Sequence, residues 1–243
     1  MTGWLLRRLR GSRHRAVRTL LALARRLQGG DADALARMLH EAQPLGADTL
    51  VRAYACGMFP MAQDDGSRVC WFDPPMRGVL PIEGVRIGRE ARRLARQGRF
   101  AVTMDTAFDQ VVTHCANHPD RRDDTWIRDG LMQAYADLHR IGAAHSIEVW
   151  REGALVGGLY GVAIGGYFAG ESQFHLVDNA GAVGFAHLCT SLRRSGFVLH
   201  DVQYLKPHLQ LMGAFEVTRG EFRRRLAEAV VRPATLQLAT TVD

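Results

Sequence analysis

Two glycine-containing turns divide residues 145–170 into three apolar segments, and this arrangement constrains the fold more than any other feature of the chain. The segments cover residues 145–150, 155–163 and 167–170, separated by Glu152-Gly153 and Gly165-Gly166. Short turns of this kind join antiparallel strands. The sequence therefore predicts an antiparallel meander at the centre of the protein.

Segments with helical spacing surround this centre, so the sequence predicts an α+β protein with a mixed, largely antiparallel sheet. Its composition, 47% hydrophobic and 23% charged, is typical of a soluble globular chain. Helices are predicted over residues 31–41, 47–56, 89–97, 105–117, 129–141, 179–195 and 219–230. Further strands are predicted over residues 69–73, 78–82, 100–104 and 197–204, with a domain boundary near residue 85.

Positive charge is concentrated at the N-terminus. Residues 1–30 hold eight arginines and no acidic residue, so the net charge of +6 combines an arm of +8 with a body of −2. Residues 14–28 have the spacing of a short amphipathic helix. Such an arm could grip phosphates, lie on an anionic membrane, act as a cleaved targeting segment, or be a solvated terminus.

Several chemistries have no support in the sequence. Phosphate-loop, dinucleotide-binding and G-x-S-x-G motifs are missing, and the histidines lack the spacing of metal ligands. We therefore expect neither a metal nor a cofactor. The four cysteines stand far apart, which favours a reducing, cytoplasmic location, and no segment is long and apolar enough to span a membrane.

Polar residues follow two otherwise apolar segments. Glu171 lies at the predicted end of a glycine-rich strand, and alternation places Asp201 and Gln203 on one face of another strand. A carboxylate and an amide that project together can orient a substrate and relay a proton. The alternative interpretation is a strand end exposed to water.

Seven collinear segments resemble the leucyl/phenylalanyl-tRNA–protein transferases of bacteria. The resemblance spans nearly all of residues 45–226, and seven segments in one order are a specific signal. The matching segments are residues 53–61, 71–74 with 77–81, 125–127, 144–150, 155–162, 170–172, and Asp201 with Gln203.

The resemblance implies an enzyme that moves Leu or Phe from its tRNA to the N-terminal Arg or Lys of a protein, which marks that protein for degradation. It also implies a GNAT-like acyltransferase domain after a small N-terminal domain, acting without DNA or a cofactor and as a monomer. The predicted division is an arm (1–30), a small domain (31–85), the GNAT-like domain (86–232) and a tail (233–243).

Residue roles also follow from the resemblance. Asp201 would orient and polarise Gln203, Gln203 would contact the acceptor amine, and Glu171 would supply negative charge for the cationic acceptor. Trp71 and Trp126 would stack on the terminal adenosine of the tRNA. An apolar pocket for the aminoacyl side chain would be formed by Leu159, Phe168, Phe174 and Leu188, although core packing is an alternative for these residues.

The chain also departs from the family pattern. Gln173 stands where the family has Met, and His175, Gly181 and Ala182 replace Ser, Ser and Lys. These changes predict an altered preference for the aminoacyl group. Two alternatives therefore stay open, namely an acyl-CoA-dependent N-acyltransferase of the same fold and a catalytically weak, tRNA-binding paralogue.

Overall fold

The computed structural model describes residues 45–62, 69–117, 127 and 129–242. The basic arm, the helix predicted over residues 31–41, and Trp126 lie outside the described residues. The helices are α1 (Ala47–Ala55), α2 (Arg89–Arg96), α3 (Phe108–Ala116), α4 (Asp129–Arg140), α5 (Ala180–Arg194), α6 (Pro207–Leu211) and α7 (Arg219–Val231). The strands are β1 (Phe59–Ala62), β2 (Val69–Phe72), β3 (Met76–Leu80), β4 (Ala101–Met104), β5 (Ala144–Arg151), β6 (Ala154–Ile164), β7 (Tyr167–His175), β8 (Leu199–Gln203) and β9 (Phe215–Thr218).

Seven of these strands form one sheet, in the order β4-β5-β6-β7-β8-β3-β9, and β1 pairs with β2 in a separate hairpin. Within the described residues, β7 and β8 are parallel and every other neighbouring pair is antiparallel. The α+β class and the largely antiparallel sheet are therefore confirmed. Strand β3 precedes the predicted boundary near residue 85, yet it lies between β8 and β9 in the large sheet.

The central meander forms where the glycines predict it. Strand β5 pairs with β6, and β6 pairs with β7. Glu152 and Gly153 both have positive φ, at 54° and 80°, which is the backbone of a two-residue hairpin turn that matches the strand twist. Strand β7 continues to His175, so Glu171 lies within the strand and not at its end.

Helices cover both faces of the sheet. Helices α1, α3, α4 and α7 contribute to the larger hydrophobic core on one face, where Leu50, Val111 and Leu131 are buried. Helix α5 covers the other face and places Leu188 in a second cluster with Leu159. Residues 233–242 of the predicted tail pack along α5, where the Ala239 backbone N–H donates to the Ser191 hydroxyl.

Candidate active site

A cavity lies where two parallel strands separate. Pairing between β7 and β8 ends at Ala169 opposite Asp201. Glu171 and Gln203, two residues beyond this last pair on their strands, both face a cavity of about 230 Å³. The end of strand pairing thus opens the sheet and brings a carboxylate and an amide into one wall.

Asp201 lies behind that wall and is fully buried, at 0% exposure. Arg77 Nε and Nη2 donate to its two carboxylate oxygens at 2.8 and 2.6 Å, and the Tyr167 hydroxyl donates to Oδ2 at 2.8 Å. The Gln203 backbone N–H donates to Oδ1, also at 2.8 Å. Four charge-assisted donors hold this carboxylate in a fixed position.

Arg77 is itself fixed from three sides. Its guanidinium lies over the rings of Phe59 and Phe222, at 4.5 and 4.6 Å from their centroids, and Nη1 donates to the Gly57 carbonyl at 3.1 Å. Burial alone would lower the pKa of Arg77, but the Asp201 carboxylate raises that pKa above its usual value. Arg77 therefore stays charged and joins the β1 segment and α7 to the carboxylate behind the cavity.

The Gln203 backbone has a left-handed conformation, with φ of 60°. This conformation is uncommon for a residue with a side chain, and the hydrogen bond from its N–H to Asp201 stabilises it. The turn directs the side chain toward Glu171, to which Gln203 Nε2 donates at 3.1 Å. The Gln203 amide oxygen is then the acceptor that this side chain can offer to a ligand.

Glu171 ends a chain of buried hydroxyl groups. The Tyr135 hydroxyl donates to Glu171 Oε2 at 3.0 Å and lies 2.8 Å from the Tyr54 hydroxyl. Because Tyr135 donates its proton to Glu171, Tyr54 must donate to Tyr135. Burial, and next the negative charge of Glu171, raise the pKa of both tyrosines well above the usual value, so both stay protonated.

The pKa of Glu171 is raised to about 7, chiefly because burial disfavours the charged form. The hydroxyls of Tyr54 and Tyr135 lower the pKa, the Asp201 charge raises it, and the Arg77 charge lowers it. Glu171 consequently changes its protonation state near neutral pH. This behaviour suits a group that exchanges a proton with a substrate.

Much of the remaining cavity lining is apolar and includes Leu159, Phe185, Leu188, Val202 and Leu209, together with the ring of His200. Ser172, Tyr204, Lys206 and His208 also line the cavity. His200 is 2% exposed, and its Nε2 has no hydrogen-bond partner among the described residues. Burial lowers the pKa of His200 to about 4, with Asp201 acting in the opposite direction, so the ring is neutral at pH 7.

The structure brings five of the predicted site residues into the cavity wall. These are Leu159, Glu171, Gln173, Leu188 and Gln203. Gln173 is exposed, so its amide can reach water, and the polar group buried in the apolar wall is His200.

Other predicted residues lie elsewhere. Phe168 and Phe174 are core side chains, at 0% and 1% exposure, and they do not line this cavity in the described part of the chain. Phe168 packs in the cluster under α5, and the ring of Phe174 stacks on His114 at 4.5 Å. The prediction that both rings form the cavity wall is therefore not supported, because Phe174 packs in the larger hydrophobic core and Phe168 in the cluster under α5.

Trp71 lies on β2, opposite Pro60 of β1, and is partly buried against the hydrophobic core. Pro60 lines the cavity, so the hairpin places Trp71 one strand away from it. Three of the departures from the family pattern are outside the described cavity wall: His175, Gly181 and Ala182.

The sequence did not predict a role at the site for four residues: Tyr54, Tyr135, His200, and Arg77 as the partner of Asp201. Arg77 and the two tyrosines are distant in sequence from the residues they contact, and hydrophobic spacing alone predicts ordinary core positions for the tyrosines.

Neither a metal cluster nor a membrane span is found in the described part of the chain. No group of three or more His, Cys, Asp or Glu side chains there could hold a metal ion. No helix there is long and apolar enough to cross a membrane.

Comparison of the sequence with known proteins identifies the family. The family model described as leucyl/phenylalanyl-tRNA protein transferase matches residues 79–227, and the model of the N-terminal domain matches residues 44–75. The chain belongs to this family. The two models divide the chain between residues 75 and 79, just before or within β3.

Curated relatives carry the same name. A leucyl/phenylalanyl-tRNA–protein transferase of Rhizorhabdus wittichii is 51% identical over 72% of this chain and 71% of its own length. That of Paramagnetospirillum magneticum is 42% identical over 82% of this chain and 96% of its own. Among solved structures, FemX aligns with a TM-score of 0.48 and 13% identity, over 71% of this chain and 67% of its own.

Proposed function

We propose that this protein transfers leucine or phenylalanine from aminoacyl-tRNA to the N-terminal Arg or Lys of a protein, forming a peptide bond and a degradation signal. One observation supports the proposal in the structure: the same cavity is lined by apolar side chains and by a carboxylate and an amide. An apolar aminoacyl side chain fits the apolar lining, and a cationic amine fits the carboxylate and the amide. Both substrates of such a transfer can therefore meet in one site.

The acceptor side consists of Glu171 and Gln203. The negative charge of Glu171 attracts the cationic acceptor, and the Gln203 amide oxygen accepts a hydrogen bond from the acceptor amine. Asp201 acts through Gln203, whose backbone it holds in the left-handed conformation, and it has no surface in the cavity. Asp201 is thus a positioning residue.

The donor side holds the aminoacyl group. Leu159 and Leu188 contact its side chain, and the neutral ring of His200 adds one polar atom to the wall. Trp71 and Trp126 stay predicted stacking partners of the terminal adenosine. The ester is already activated, so positioning of the two substrates provides much of the rate.

Helix α2 offers a surface for the tRNA backbone. Residues 86–99 contain six arginines and one acidic residue, although residues 31–243 as a whole have a charge of −2. Arg89, Arg96 and Arg99 are exposed, and Arg86 donates to the backbone of Gln210, just beyond the cavity residue Leu209. Phosphate contacts from this helix would place an acceptor stem beside the cavity.

A double variant tests this surface. Arg89→Gln with Arg96→Gln should weaken tRNA binding and reduce the slope of log Kd against log salt by about one per arginine. Arg140→Gln on α4, on the opposite face of the sheet, is the matched control and should leave the slope unchanged. Titrating fluorescent tRNA at several salt concentrations measures both, and an unchanged slope in the double variant would remove α2 from the tRNA site.

We further propose that the sheet is GNAT-like, because its parallel strands β7 and β8 separate at the site.

Two other functions compete with the proposed one: acyl transfer from an acyl-CoA donor, and tRNA binding by a catalytically weak paralogue. The deciding experiment gives the protein an Arg-initiated peptide with Leu-tRNA, Phe-tRNA or acetyl-CoA. Transfer from the two tRNAs alone supports the proposal, acetyl transfer supports the acyl-CoA enzyme, and tRNA binding without transfer supports the weak paralogue.

A further inference from the structure

We propose that Glu171 is the proton acceptor of the transfer reaction and that Tyr135 and Tyr54 are positioning residues that hold its carboxylate for this step. The inference rests on the proposed function and adds a catalytic role to it. It is carried by the different surroundings of the two carboxylates at the site.

Asp201 has no free position for a substrate proton. Its two oxygens accept from Arg77, Tyr167 and the Gln203 backbone, and it has no exposed surface. A proton on Asp201 would also leave the buried charge of Arg77 without its counterion. The hydrogen-bonding positions of Asp201 are thus taken by the protein itself, and another group must take the proton.

Glu171 has the access that Asp201 lacks. It lines the cavity, is partly exposed, and accepts one hydrogen bond on each oxygen, from Gln203 Nε2 and from the Tyr135 hydroxyl. A carboxylate oxygen can accept two hydrogen bonds, so room remains for an amine proton. The Gln203 amide, bonded to the same carboxylate, places the amine beside it.

Several charged and titratable groups surround Glu171. The pKa of Glu171 is about 7, whereas that of His200 is about 4, so the His200 ring is neutral in this range. Burial lowers the pKa of His208, which also lines the cavity. Lys206 also lines the cavity. The other groups that face Glu171 are Tyr54 on α1, Tyr135 on α4, Arg77 on β3, Tyr167 on β7 and Asp201 on β8.

The proton balance of the step is complete with one carboxylate. The neutral acceptor nitrogen attacks the ester carbonyl carbon, and its proton passes to Glu171 as the C–N bond forms. The C–O bond to the terminal adenosine then breaks, and Glu171 returns the proton to the departing ribose oxygen. Glu171 is again a carboxylate at the end of the cycle, so no other reactant is needed.

Single-turnover transfer from Leu-tRNA, followed from pH 5.5 to 8.5, tests the role. The α-amine of a peptide also titrates in this range, near pH 7.7–8.0. The acceptor should therefore carry an N-terminal aminooxy group, whose nitrogen is neutral throughout, and the rate without enzyme is subtracted. With this acceptor the wild-type rate should rise about tenfold per pH unit below about pH 7 and level off above it.

Glu171→Gln should lower the plateau rate about 10²- to 10⁴-fold and abolish the rising limb, with tRNA affinity unchanged. Tyr135→Phe removes a donor that favours the carboxylate, so its midpoint should move about one unit to higher pH. Tyr54→Phe should move the midpoint in the same direction and serves if Tyr135→Phe does not fold. Tyr204 also lines the cavity but is 45% exposed, so Tyr204→Phe is the control and should keep the wild-type midpoint.

A Glu171→Gln variant that keeps the rising limb and a rate within a few-fold of wild type would overturn the inference while leaving the proposed function intact. Absence of transfer by the wild-type protein from any aminoacyl-tRNA would instead overturn the proposed function. If both tyrosine variants keep the wild-type midpoint, Tyr135 and Tyr54 do not position the Glu171 carboxylate. The result for Glu171→Gln then decides whether Glu171 is the proton acceptor.

Discussion

Replacing Arg77 by methionine should lower the free energy of unfolding by about 3–5 kcal/mol and abolish transfer. The variant leaves the Asp201 carboxylate buried without its counterion, with the Tyr167 hydroxyl and the Gln203 N–H as its remaining donors. Two flanking rings, Phe59 and Phe222, also lose the cation between them. Urea unfolding measures the stability, and the transfer assay measures the activity.

The matched control is Arg93→Met on α2. Arg93 also forms a bidentate pair, with Glu90, but both side chains are exposed and screened by water, so the unfolding free energy should change far less than in Arg77→Met. A second variant, Arg77→Met with Asp201→Leu, removes both buried charges and should recover much of the stability but none of the activity. Equal effects of Arg77→Met and Arg93→Met would contradict the structural role of the buried pair.

Glu171→Gln should raise the free energy of unfolding above pH 7, whereas Arg77→Met should lower it. The pKa of Glu171 is about 7 in the folded protein, above its usual 4.5, so the folded state binds a proton more tightly than the unfolded state. Wild-type stability therefore falls as pH rises from about 4.5 to 7, by about 3 kcal/mol in total, and stays lower above pH 7. The amide cannot ionise, so the variant escapes this loss.

The variant should accordingly be more stable than wild type at pH 8, and this advantage should decline to nothing below about pH 4.5. Urea unfolding at pH 4.5, 6 and 8 measures the difference. Glu228→Gln, at an exposed acid on α7, is the control and should not show this advantage at pH 8. A variant less stable than wild type at pH 8 would show that burial of the ionised Glu171 carboxylate does not destabilise the folded protein.

Local signals in the sequence predicted much of the fold. The turns at Gly153 and Gly165 fixed the meander β5-β6-β7, and helical spacing located α1, α4, α5 and α7 to within one or two residues. The short elements β1, β9 and α6 were not predicted, although β2 and β4, which are equally short, were. The parallel pairing of β7 with β8 was also missed, because α5 separates the two strands in sequence.

The site was predictable where the family resemblance or alternation identified a polar residue, as for Glu171 and Gln203. The function assigned to an apolar residue was harder to predict. Leu188 lines the cavity and Phe174 does not, although both are buried and both follow strand or helix spacing. Contacts such as Arg77 with Asp201, 124 residues apart, arise only when the sheet places β3 beside β8.

Transfer of an aminoacyl group to a protein N-terminus changes the mass of the acceptor peptide. A peptide beginning with Arg is incubated with the protein and Leu-tRNA, beside a copy whose α-amine is acetylated. The free peptide should gain one leucine residue at its N-terminus, and the acetylated copy should gain none. An unchanged free peptide, with a protein that still binds tRNA, would contradict the assigned function.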